Sequence, residues 1–197
     1  MGNSQELRIS VSEPQPAVIA LYVRDAAGLR AGEGIPRLFP PVTVGESVAS
    51  IDLGKASAEW EEWWGDIMRL EDQHKPGEAP PPMDEVFPVP ARFPALAELA
   101  SRVQPDALEY SAARKREATA TRGEQGPSQV LFKILREARP SPWKGRRARE
   151  FSLHVTQLPV EGEFRQTRSE HHLVVGMDTY KNPEAYEAAL RQALGWR

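Results

Sequence analysis

The chain has 197 residues, 40% hydrophobic and 27% charged, a balance that excludes a wholly disordered, collagen-like or membrane-embedded protein. It has no cysteine, which removes disulfides, thiol nucleophiles, zinc ribbons and iron–sulfur clusters together, and leaves four histidines and the carboxylates to hold any metal. The formal net charge of −3 hides an asymmetry: residues 1–110 carry −9, residues 111–149 carry +8 and residues 150–197 carry −2, so the central block is suited to attract phosphate, an acidic partner or the chain's own acidic part.

In chain order, the first ten residues lack a basic segment followed by an apolar stretch, and the longest apolar run falls far below the ~20 residues of a membrane span, so a cytoplasmic protein with no membrane partner is expected. Leu7, Ile9 and Val11 alternate with Arg8, Ser10 and Ser12, the period of a half-buried strand that Pro14 and Pro16 end. Ala17 to Val23 is continuously apolar and reads as a second strand, covered on both faces. Asp25 to Gly34 reads as a Gly-rich turn, and residues 35–50, with Pro36, Pro40 and Pro41, as an irregular loop or short edge strand.

Ser57 is placed to cap a helix whose first turn carries Glu59, Glu61 and Glu62. Trp60, Trp63, Trp64, Ile67 and Met68 follow at helical spacing, and that stripe is expected to face the core. Seven prolines fall within residues 76–94, so a linker or crossover is expected there, with Pro80 to Pro82 a stiff spacer. Helical patterns resume over 94–103, again after Pro105, and over 112–126, where the helix frays into a mobile loop. Ser128 caps 129–138 before Pro140 and Pro142 stop the helix.

Phe151, Leu153 and Val155 alternate with Ser152, His154 and Thr156; Glu161-Gly162 makes a turn, Phe164 to Arg168 runs back, and His171 to Met177 supplies a third strand. This reads as an antiparallel meander. Asn182 caps a terminal helix, Pro183 takes its first position, and Tyr186, Leu190, Ala193 and Leu194 form its buried stripe before Gly195. The expected fold is a single α+β domain over 1–197: a mostly antiparallel sheet of N-terminal strands and C-terminal meander, packed by helices, with a proline-rich linker at 76–94 and a mobile basic segment at 111–149.

His154 and Thr156 project from one strand face, so an imidazole and a hydroxyl are poised to grip one phosphate. The stretch Phe-Ser-Leu-His154-Val-Thr156-Gln-Leu resembles half of the active site of the two-histidine phosphoesterases. The resemblance implies cleavage of cyclic phosphodiesters by two His-x-Thr or His-x-Ser elements, one histidine as base and one as acid. The other histidines here stand in His74-Lys-Pro and His171-His172-Leu. His154, Glu170 and His172 form a candidate metal triad, the last two placed at i, i+2 on one strand face. Nucleophile elbows, phosphate loops and dinucleotide fingerprints are missing: Gly28 to Gly34 follows an apolar run but leads into Ile-Pro.

Trp143, Lys144, Arg146, Arg147 and Arg149 group four cations around one aromatic, a surface suited to a nucleic-acid backbone with one stacked base, or to an acidic protein. Each catalytic constellation is one member short. The reading is therefore a non-catalytic cytoplasmic protein that binds another macromolecule, as an adaptor, assembly component or inhibitor, with no cofactor and no required metal. Its alternatives are a phosphodiester or metal-dependent hydrolase centred on His154, and an RNA or DNA binder using residues 111–149.

Overall fold

The computed structural model describes residues 7–43, 51–74, 87–121, 125–139 and 151–196. Most of the proline-rich stretch and the segment holding Trp143, Lys144, Arg146, Arg147 and Arg149 lie outside the described residues. The chain runs β1 (Leu7–Ser12), α1 (Gln15–Ala26), α2 (Leu53–Gln73), α3 (Pro94–Thr121), α4 (Gln125–Ala138), β2 (Phe151–Leu158), β3 (Arg165–Ser169), β4 (His172–Gly176), α5 (Met177–Lys181) and α6 (Pro183–Ala193). No helix among the described residues is long and apolar enough to cross a membrane.

The four strands form one sheet in the order β1-β2-β4-β3. β1 and β2 are parallel, β2 and β4 are parallel, and only β3 and β4 are antiparallel. The sheet is thus mixed and mostly parallel, which corrects the expected antiparallel arrangement. The reason lies where the chain leaves β2. Phe39 N–H donates to Pro159 O at 2.8 Å and Glu161 N–H to Arg37 O at 2.9 Å, around an antiparallel bridge between Leu38 and Val160. Those bonds tie the exit of β2 to the loop after α1. β3 therefore returns one strand further out, and β4 turns back into the gap beside β2.

Ala17 to Val23, expected as a buried strand, lies inside α1. An apolar run this short has no period that separates a strand from a helix buried all round. Pro16 carried the better signal: it sits in the first helical turn, where a missing N–H costs nothing. α1 is enclosed by the sheet, α2 and α3, and Ala17, Ala20 and Leu21 are fully buried. Two smaller differences follow. α2 is capped by Asp52, whose side chain accepts from Lys55 N–H at 3.0 Å, while the Ser57 hydroxyl donates to Leu53 O within the helix. α3 continues unbroken through Pro105, its Leu99, Val103 and Ala107 packed in the core on both sides of the proline.

Each sheet face has its own core. Leu153, Val155, Leu173 and Val175 pack on Val130 and Ile134 of α4 and on Tyr186, Ala189 and Leu190 of α6. The opposite face meets α1, α2 and α3, with Trp60, Trp63, Trp64, Ile67 and Met68 all buried, as the stripe predicts. Trp60 stacks on Trp64 at 5.3 Å between centroids, and its Nε1–H donates to Ala20 O at 2.7 Å. The turn after α1 is held by buried Arg24, which donates to Asp25, Ile35 O and Pro36 O. Gly32 has φ +70°, and a Cβ there would lie 3.0 Å from both Arg24 and Trp60. Its glycine permits this close packing. α6 forms as read: Asn182 accepts from Glu184 and Ala185 N–H, and Gly195, at φ +63°, ends the helix region.

Candidate functional site

The face of the sheet that meets α2 is apolar toward Leu158 and Val174 but polar toward its other end. The period of two explains this: Ser10 and Ser12 of β1, His154 and Thr156 of β2 and His172 of β4 all leave the side opposite Leu153, Val155 and Leu173. Parallel register makes Ser10 the partner of His154, and His154 the partner of His172. Five polar side chains on three adjacent strands are thereby gathered without any loop.

The last turn of α2 closes over them. Glu71 continues the spacing of Trp60, Trp64 and Ile67, so its carboxylate lies on the helix's buried face and is 6% exposed. The His154 Nε2–H donates to Glu71 Oε2 at 3.0 Å, and the Ser10 hydroxyl donates to Nδ1 of the same ring at 2.9 Å. Ser12 Oγ lies 3.2 Å from His154 Nε2. His172 Nδ1–H donates to Asp72 Oδ1, and its Nε2 accepts from the Thr156 hydroxyl at 2.8 Å. Thr156 Oγ1 is also 3.4 Å from Glu71 Oε2 and from His154 Nε2. Arg168 of β3 reaches Asp72 at 3.3 Å, and the His74 ring stands edge-on to His154 at 4.8 Å.

Electrostatics sets the protonation. Burial pushes His172 below its ordinary imidazole value and outweighs the hydrogen bond it gives to Asp72, which favours the charged ring. Burial also raises the Asp72 carboxyl, but the hydrogen bonds from His172 and Arg168 and the charge of Arg168 prevail and hold it below the ordinary carboxylate value. A neutral His172 with its proton on Nδ1 fits both partners: Asp72 can only accept, and Thr156 is left to donate.

The arrangement has the parts of an acid–base centre. Two imidazoles, each backed by a carboxylate, flank one hydroxyl. Their rings are 5.3 Å apart. What it lacks is access. Thr156 and His172 are 0% exposed and His154 1%, and each ring nitrogen of the two histidines has a partner within the protein. Among the described residues no three His, Asp or Glu side chains converge to hold a metal ion.

The residues singled out in the sequence are divided. His154, Thr156 and His172 come together; Glu170 does not, because it sits in the exposed turn between β3 and β4 and faces His171 at 3.4 Å. Sequence reasoning missed Glu71, Asp72, Ser10 and Ser12. A charged residue on the apolar spacing of α2, and a strand whose polar face repeats at period two, were the available signals. The chain has no match among known protein families, curated proteins or solved structures.

Proposed function

We propose that this protein works by binding another macromolecule, most simply an acidic protein surface, and catalyses no bond-breaking of its own. The observation that carries the reading is the sealing of the acid–base cluster found among the described residues: its hydroxyl and both imidazoles are out of solvent, and a nucleophile must be reachable to react. An adaptor, an assembly component and an inhibitor all fit.

Charge supports an acidic partner. Residues 111–149 hold 11 Lys and Arg against 3 Asp and Glu, and clustered positive potential raises the local concentration of anions. Within that block, α4 turns Ser128, Gln129, Phe132, Lys133 and Arg136 outward around an open depression of about 550 Å³. Phe132 is 63% exposed there. The cationic group of Trp143, Lys144, Arg146, Arg147 and Arg149 follows α4 in sequence.

A second reading rests on one specific observation, the pair of imidazoles flanking Thr156 Oγ1. It makes the protein a phosphodiester hydrolase, with His154 and His172 as base and acid. One experiment separates the two. The purified chain is given 2′,3′-cyclic nucleotides, and its retention of a polyglutamate polypeptide, single-stranded RNA and duplex DNA is measured at several salt concentrations. Binding to the acidic polypeptide that an Arg136→Glu, Arg146→Glu, Arg147→Glu variant loses, without turnover, supports the proposal. Ring opening that His154→Gln abolishes contradicts it, and salt-steep retention of nucleic acid alone moves the partner to RNA or DNA.

A further inference from the structure

The tryptophan stripe anchors α2 only as far as Met68; beyond it the helix holds to the core through half-buried Leu70 and to the sheet through Glu71 and Asp72. We propose that this last turn, Glu71 to His74, is an acid-released latch, set by His172 and freed from β2 and β4 when that ring takes up a second proton.

The geometry explains why a second proton is unwelcome. His172 Nε2 already receives the Thr156 hydroxyl at 2.8 Å. If Nε2 is protonated, two donors face each other, and Thr156 must rotate to accept. Its own proton then has one acceptor in reach, Glu71 Oε2 at 3.4 Å, because His154 Nε2 carries the proton it gives to Glu71. That rotation sets Thr156 and His154 competing for one carboxylate oxygen. The new charge would also be 0% exposed, with the His154 ring 5.3 Å away.

The surrounding charges do not cancel this. Asp72 and Glu71 on α2 favour a cationic ring, but Arg168 on β3 already draws on Asp72. The His154 ring on β2, 5.3 Å from His172, offers it no acceptor, His74 at the end of α2 lies against His154, and β1 contributes only the hydroxyls of Ser10 and Ser12. Burial accordingly holds His172 below the 6.5 of a solvated imidazole. When the turn lifts, the ring meets water and regains that value. Proton uptake then belongs to the open state, and below pH 6.5 the opening constant rises by up to about tenfold per pH unit until the closed ring itself titrates.

The test is amide hydrogen exchange on the intact chain between pH 7.5 and pH 5, corrected for the intrinsic rate. Amides of residues 69–74, 154–156 and 172–174 are expected to gain in opening constant as pH falls below 6.5, by at most about tenfold per pH unit, while those of α6 stay flat. His172→Gln, which cannot titrate there, is expected to lose the slope whatever its baseline. Should that variant fail to fold, the wild-type ring titration followed by NMR serves instead, with a His172 midpoint below 6.5 expected. A flat profile at α2, an equal slope in α6, a slope that survives in His172→Gln, or a His172 midpoint at or above 6.5 overturns the latch.

Discussion

His154 and His172 are register partners on adjacent parallel strands, and the hydroxyl of Thr156 sits between their Nε2 atoms, 2.8 Å from His172 and 3.4 Å from His154. Two histidines side by side in a sheet interior would be costly if left alone, because each buried ring nitrogen needs a partner. The end of α2 supplies one for each ring, Glu71 for His154 and Asp72 for His172, and the sheet hydroxyls of Ser10 and Thr156 supply the others. A polar sheet face and a helix end are thus specific to one another in a way that an apolar contact is not.

Thr156→Val tests that specificity. The change keeps shape but leaves His172 Nε2 buried without a donor, so a loss of about 1–3 kcal/mol in unfolding free energy is expected. Denaturant unfolding measures it. A neutral or stabilising effect would mean that the hydroxyl is not part of the network.

Acid stability has a defined sign. His172 is depressed on folding, so its contribution is complete above 6.5 and is lost as pH falls from there through the folded value. Asp72 is depressed too, and its contribution fades only below 3.8. Urea unfolding at pH 7.5 and pH 5.5 should show lower stability at the acid end, with the His172 part of the difference missing in His172→Gln. Equal drops in wild type and variant would contradict the assignment.

The aromatic junction between α1 and α2 is expected to be the most sensitive apolar position. Trp60→Ala removes a fully buried indole, its stacking on Trp64 and its bond to Ala20 O, for a loss of about 3–5 kcal/mol. Near-ultraviolet circular dichroism should collapse with it. Retention of that signal would place the tryptophans elsewhere.

Gly32→Ala probes the turn that follows α1. The added Cβ meets Arg24 and Trp60 at 3.0 Å at a φ of +70°, so a loss above about 1 kcal/mol is expected. Thermal unfolding reads it, and an unchanged midpoint would argue against the packed turn.

How much of this was legible depended on whether the signal was local. The tryptophan stripe, the Asn182–Pro183 helix start and the 151–158 strand follow from spacing and capping chemistry, which act over a few residues. Strand direction does not. Nothing in Phe164 to Met177 says that β4 will enter between β2 and β3, because that depends on the loop at Leu38 pairing with Val160. Ala17 to Val23 misled for a related reason, since burial on every side erases the amphipathic period. The site was half visible: His154 and Thr156 stood out on one strand, while Glu71 and Asp72 come from about eighty residues earlier, and only the fold brings their helix turn over that strand.

The sealed network is tested most directly by NMR of the histidine ring nitrogens at pH 7 and upward. A neutral His172 with its proton on Nδ1, exchanging slowly with water and bonded to Asp72, is the predicted result. A rapidly exchanging ring would show that the site is open to solvent and would return its histidines to the candidates for catalysis, and a proton on Nε2 would contradict the bonds to Asp72 and Thr156.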